Sequence, residues 1–185
     1  MFITPEVERW LRGAGYEHHC FISWPRTKNS DITECARRLR DNIEQTLASS
    51  IPEPKVFLDE SSIKGGEDWE KKITCALCKS IVLVAVCAPI YFHPIHEWCA
   101  LEWAGMDKLG KTRLPNETVR TIIPVILRKM NPLPESVARI QYYDFSKISV
   151  LGNGYYRTKE YRQKIDEIRE HIEIVCNKLS ENNSR

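Results

Sequence analysis

Apolar residues along this chain alternate between two rhythms: short continuous runs, and longer stretches with apolar positions three and four apart. Cys20-Phe21-Ile22-Ser23-Trp24 is a short apolar run ended by Pro25, which predicts a first buried strand. Asp31 followed by Glu34 has the acidic cap and acid-three-later pattern of a helix start. Ile32, Cys35, Ala36, Leu39, Ile43 and Leu47 then share one helical face. Pro52 and Pro54 close that segment, and Val56-Phe57-Leu58 predicts a second strand ending in Asp59. A polar loop from Glu60 to Asp68, containing Gly65-Gly66, precedes a helix carrying Trp69, Ile73, Ala76, Leu77 and Ser80. Ile81 to Val86 is continuously apolar and rich in β-branched residues, as a strand covered on both faces should be. A loop with Pro89, Tyr91, Phe92 and Pro94 leads into a helix from about Glu97 to Lys108. Thr121 to Leu127 predicts a fourth strand and Ile140 to Phe145 a fifth, on an edge. Lys159 to Leu179, with Ile165, Ile168, Ile172 and Val175 at helical spacing, is the closing helix.

Strand and helix alternate throughout, which predicts an α/β fold: a parallel sheet with helices on both faces. Ligands of such sheets gather beyond the carboxyl ends of the strands. Phe21 to Trp24, Asp59 and the loop from Cys87 to Glu97 all lead to that edge. Residues 1–16 form a polar N-terminal extension, residues 17–179 the domain, and residues 180–185 a polar tail. No internal repeat or low-complexity linker interrupts them.

Composition narrows the class. Hydrophobic residues make 42% and charged residues 28% of 185, which argues against disorder. The net charge is only +2, with 27 basic and 25 acidic side chains well mixed. That balance carries no footprint for nucleic acid or for an acidic membrane surface. No apolar stretch approaches the roughly 18 residues of a membrane span, and Met1 to Trp10 has no signal-peptide core. Seven cysteines, an odd number placed in or beside apolar runs, point to a reducing, cytoplasmic location.

Several chemistries lack their residues. No glycine-rich phosphate fingerprint follows the first strand, and neither a P-loop nor a Gly-x-Ser-x-Gly elbow is present. Asp59 alone does not build a phospho-receiver site. Cys75 and Cys78 spell C-x-x-C without a second pair, and read as two buried small hydrophobes rather than a metal or redox site. His18, His19, His93 and His96 lack partnering ligands, so no metal site is expected. Trp98 and Glu102 differ, because four residues apart on a helix they share a face, about 6 Å between Cβ atoms. An aromatic plate beside a carboxylate suits a substrate with a flat base and a sugar that becomes cationic at its anomeric carbon. The competing reading is an amphipathic helix with Trp98 in the core and Glu102 in water, and spacing alone favours it.

Phe21-Ile22-Ser23-Trp24, Val56-Phe57-Leu58-Asp59, Gly65-Gly66, the helix before Ser80, Ile81–Val86 and Trp98-Cys99-x-x-Glu102 follow one another in a familiar order. In this order and spacing they resemble the Toll/interleukin-1 receptor (TIR) family, over about Cys20 to Tyr143. The resemblance implies a flavodoxin-like three-layer sandwich around a five-stranded parallel sheet. Enzymatic members, bacterial antiviral proteins among them, cleave NAD between nicotinamide and ribose. Glu102 matches their essential glutamate, and Trp98 an aromatic residue that stacks on substrate. By the same resemblance Phe21, Ser23 and Trp24 lie beside the pocket. Arg26 and Lys28 meet the pyrophosphate or remain solvated loop cations. Asp59 contacts substrate or orders its loop. Ser61–Asp68 matches the loop that mediates homotypic association and gates the pocket. Two positions depart from the family pattern: Trp24, where tyrosine is usual, and Trp103, where leucine or isoleucine is frequent.

The implied activity is that of an NAD nucleosidase giving ADP-ribose or a cyclic isomer. Glu102 would be ionised, near the reference carboxylate pKa of about 4.3. No cofactor is expected, NAD being the substrate. The standalone format suggests a bacterial anti-phage effector or signal generator whose product a separate effector senses. The alternative is a non-enzymatic TIR adaptor acting by homotypic association; a weaker one is a nucleoside or nucleotide glycosidase of related fold.

Overall fold

The order of strands in space differs from their order in sequence, and that difference places the site. In a computed structural model describing residues 3–28, 30–58, 68–148 and 154–182, five strands form one sheet. They are β1 (His18–Ser23), β2 (Val56–Leu58), β3 (Ser80–Cys87), β4 (Ile122–Ile126) and β5 (Tyr143–Asp144), in the order β2-β1-β3-β4-β5. All neighbours are parallel, with Cys20 opposite Val56 and Val82, and Ser23 opposite Ala85. The chain winds outward from β1 to β2 and then reverses across β1 to β3. A crevice opens at such a reversal, beyond the carboxyl ends of the two central strands.

The helices are α1 (Pro5–Gly13), α2 (Ser30–Leu47), α3 (Trp69–Cys78), α4 (Glu97–Arg113), α5 (Glu135–Ala138) and α6 (Lys159–Asn182). Successive strand residues point to opposite faces, so the sheet splits the core in two. Cys20, Ile22, Val82, Val84 and Val86 pack with the apolar stripes of α1, α2 and α6. Phe21, Leu83, Ala85 and Cys87 pack with Ile73 and Leu77 of α3, Cys99 and Met106 of α4, and Val137 of α5. The result is the expected α/β sandwich of three layers. Every residue of β3 is buried, which explains why its run shows no polar alternation.

Some elements differ from the sequence expectation. The N-terminal stretch is not a bare extension, because α1 packs Leu11 into the larger core. The hydroxyl of Thr4 accepts from the Val7 amide, and Pro5 and two acids occupy the first turn. Ser30 begins α2, so Asp31 lies inside the first turn rather than before it. Ser80 begins β3, its hydroxyl donating to the Ala76 carbonyl at 2.7 Å. α4 runs one turn past Lys108, β5 is shorter than Ile140–Phe145, and α6 continues into the polar tail as far as Asn182. Cys75 and Cys78 are exposed on α3, not buried, because Ile73, Ala76 and Leu77 take its inner face. No helix among the described residues is long and apolar enough to cross a membrane.

Candidate active site

Three segments converge at the carboxyl end of β1. The first is β1 itself, whose last residue Ser23 is buried. The second is a tight 3-10 turn, Pro89–Phe92, that follows β3 and turns Tyr91 inward until it is 1% exposed. The third is α4, whose buried positions are Cys99, Glu102 and Met106, spaced three and then four. Glu102 is the charged residue on that inward face and is 8% exposed. The reading with Glu102 in water and Trp98 in the core is therefore reversed. Glu102 is buried, and Trp98, one helical turn away, is half-buried at the rim.

A buried carboxylate requires hydrogen-bond donors. Ser23 donates to Glu102 Oε2 at 2.5 Å, and the same hydroxyl oxygen lies 2.7 Å from the Tyr91 hydroxyl. The Tyr91 hydroxyl also lies 3.4 Å from the Cys99 carbonyl. Burial pushes the Tyr91 phenol well above its usual pKa, and the neighbouring Cys99, Cys87 and Glu102 add to the rise. Burial, helped by Glu102, likewise pushes the Cys99 thiol up to about 12. Both stay protonated, so neither is a nucleophile at neutral pH.

Above this floor lies an aromatic rim. Trp69, the first residue of α3, meets Trp98 edge to face, with centroids 4.5 Å apart at 79°. The guanidinium of Arg26, on the loop after β1, lies 4.8 Å from the Trp69 ring centroid, and its charge reaches Cys99. Asp68 caps α3 by accepting from the Lys71 amide at 3.1 Å, which fixes where Trp69 begins the helix.

The residues singled out from sequence thus separate. Ser23, Trp98 and Glu102 come together, with Arg26 beside them. Phe21 stacks on Phe57 at 5.1 Å in the core beneath. Trp24 is half-buried and packs against the core on the opposite face. Asp59 and the loop from Ser61 to Asp68, except Asp68 itself, lie outside the described residues. Tyr91 and Trp69 were not singled out. The hint for Tyr91 was an aromatic residue two after a proline at the end of the central strand. For Trp69 it was an indole at the mouth of the polar loop. The four histidines named from sequence sit in packing and turn contacts: the His18 ring lies 5.2 Å from that of Phe57, and the His96 amide donates to the His93 carbonyl at 2.8 Å. His19 is buried, His93 accepts from the Ile95 amide at 3.2 Å, and no cluster of three His, Cys, Asp or Glu suited to a metal occurs among the described residues. Clefts of about 330 and 570 Å³ on the α4–β4–β5 flank hold none of the site groups.

The sequence matches the family model for the TIR domain over residues 20–151, more than half of the chain. This chain belongs to the TIR-domain family. No curated protein matches it as a relative. The TIR domain described above is similar in structure to a metazoan TIR-STING receptor from C. gigas, solved in complex with 2',3'-cGAMP. The two are 17% identical with a TM-score of 0.56, over 86% of this chain and 40% of the receptor. At that identity the likeness concerns the fold alone, and this chain spans less than half of the receptor's length. Within this TIR domain, Trp98-Cys99-x-x-Glu102 occupies the first two turns of α4, and its glutamate faces the reversal point of the sheet.

Proposed function

We propose that this TIR domain is an NAD nucleosidase that breaks the bond between nicotinamide and ribose, with Glu102 as its catalytic residue. The observation that carries the reading is the carboxylate itself. It is buried, held by Ser23, and set beside a half-buried indole at the sheet edge where α/β folds bind ligands. A carboxylate removed from water and pointed at a ligand site is suited to a charge that develops during reaction. In NAD that charge develops at the anomeric carbon as nicotinamide departs with the bonding electron pair. The leaving group is already cationic and becomes neutral, so no strong acid is needed. Glu102 holds the ribose hydroxyls and stabilises the oxocarbenium-like state. Water then adds and releases a proton to give ADP-ribose, or an adenine nitrogen of the same molecule adds to give a cyclic isomer. Trp98 offers a face to a flat base, and Arg26 a charge within reach of a pyrophosphate.

Self-association through the Ser61–Asp68 loop belongs to the same proposal, as does a role in bacterial anti-phage defence with a separate effector reading the product. The deciding experiment is incubation of concentrated protein with NAD, followed by mass spectrometry of the products. Nicotinamide release that Glu102→Gln lowers by about a thousandfold is expected. Full activity in Glu102→Gln would remove Glu102 from the chemistry. An inactive wild type, even with cell extract supplying a trigger, would favour the adaptor reading.

A further inference from the structure

Tyr91 and Tyr161 are the largest fully buried side chains among the described residues, and the Tyr91 hydroxyl lies where a buried donor has few choices. It carries one proton and faces two acceptors, Ser23 Oγ at 2.7 Å and the Cys99 carbonyl at 3.4 Å. Distance selects Ser23. Ser23 also carries one proton, and Glu102 Oε2 at 2.5 Å takes it. The two bonds define a direction, Tyr91 to Ser23 to Glu102, in which each donor is satisfied once and the chain ends on a carboxylate. Reversing it would leave the phenol only the longer contact to Cys99.

We infer that Tyr91 is a positioning residue for Glu102: acting through Ser23, it fixes the carboxylate's rotamer and favours its ionised form. The inference rests on the proposed role of Glu102. A donor chain that ends on a charged acceptor polarises along its length and strengthens the terminal bond. Hydrogen bonds to the charged form of a carboxyl also favour that form. The phenol cannot drift away, because its ring is anchored by Phe92 at 5.0 Å and Trp103 at 6.4 Å. Cys87 from β3, Cys99 from α4 and Arg26 from the loop after β1 are further titratable or charged groups that face the chain. Both thiols stay protonated, and the charge of Arg26, which reaches Cys99, is the same whether or not Tyr91 keeps its hydroxyl. The preference that Tyr91 adds is therefore separable.

Tyr91→Phe keeps the ring and removes only the hydroxyl. The expected loss is about fivefold in kcat, the effect of one net hydrogen bond, with KM unchanged. The acid limb of the pH–rate profile should move to higher pH. In a Ser23→Ala background the same substitution should cost nothing further, because its route to Glu102 is gone, whereas Ser23→Thr should keep the sensitivity. Carbon-13 NMR of the glutamate carboxyls, with Glu102 assigned by Glu102→Gln, reads the titration without needing turnover. Losses that multiply in the double variant, or a Glu102 titration that Tyr91→Phe leaves in place, would overturn the relay. A wild type that releases no nicotinamide would overturn the proposed activity instead, and the NMR titration would still decide the relay. Should Tyr91→Phe fail to fold, 3-fluorotyrosine at position 91, a stronger donor of nearly the same shape, must move the titration the opposite way or the inference fails.

Discussion

At the scale of single residues, the site is divided between a floor that holds charge and a rim that holds shape. Trp69 belongs to the rim: its ring meets that of Trp98 at 79° and carries Arg26 over its face. Aromatic contacts of this geometry contribute about 0.5–1.5 kcal/mol each, and a stacked guanidinium about as much again. Trp69→Ala is therefore expected to raise KM for NAD by about three- to tenfold while kcat changes less, as steady-state kinetics would read. Trp69→Phe should recover part of the loss. An unchanged KM in Trp69→Ala would reduce Trp69 to packing. Trp98 and Glu102 were legible in the sequence because a four-residue spacing is local, and the family motif assigned them. Ser23 was legible through the resemblance, which puts it at the end of the first strand beside the pocket. Tyr91 and Trp69 were not, because each works on a partner 68 or 29 positions away in the chain, and only the strand order brings those partners close.

At the scale of elements, α4 carries the sharpest constraint. Trp98, Leu101 and Trp103 lie around the inward line of Cys99, Glu102 and Met106, so apolar residues surround the helix and its pattern does not point inward. Sequence periodicity consequently could not orient α4, and the direction of Glu102 came from packing. Near its end α4 approaches β4 at Gly110, where an added Cβ would stand 2.3 Å from Thr121 Oγ1 and 3.4 Å from two Thr121 carbons. Glycine inside a helix usually costs about 0.5–1 kcal/mol relative to alanine, so Gly110→Ala would ordinarily stabilise. Here the clash falls on Thr121, a buried β-branched side chain whose hydroxyl bonds the Met106 carbonyl at 3.4 Å, so yielding means leaving both its rotamer and that bond. Gly110→Ala is expected to destabilise by about 1–3 kcal/mol, and Thr121→Ala in the same chain should recover most of that loss. Denaturant titration of the two single variants and the double variant measures the coupling. Additive losses would place the strain elsewhere. The missed α1 teaches the complementary lesson. It is short and mostly polar, yet Ile3, Val7, Trp10 and Leu11 fall three and four apart on one face, and Thr4, Pro5, Glu6, Glu8 and Arg12 carried ordinary start and stop signals.

At the scale of the whole molecule, α1 closes the amino end of the sheet, opposite the candidate site, and does so through a buried histidine. His19 Nδ1 accepts from the Lys55 amide at 3.1 Å, which leaves Nε2 to carry the proton and donate to Glu8 Oε2 at 3.2 Å. One neutral tautomer thus ties β1, the approach to β2 and α1 together. Burial lowers the pKa of His19, and outweighs the opposing pull of Glu8. Burial also lowers that of His171, whose ring bonds the Arg120 carbonyl, and of half-buried His18. A histidine whose folded pKa lies below its unfolded value of about 6.5 binds protons more readily when the chain unfolds. Falling pH then draws the equilibrium toward the unfolded state, and the loss begins near the unfolded pKa. Carboxylates held below their usual range, such as Glu17 beside Lys79 and Asp144 beside Ser146, lose their contribution only in a more acidic window. The melting temperature should accordingly be level above about pH 7 and decline from there to about pH 5. His19→Asn keeps an acceptor for the Lys55 amide and removes the titrating ring. It should melt lower at pH 7, where it forfeits the bond to Glu8, and decline less steeply toward pH 5. Parallel declines in the two proteins would move the acid sensitivity to other groups and leave His19 a purely steric part of the core.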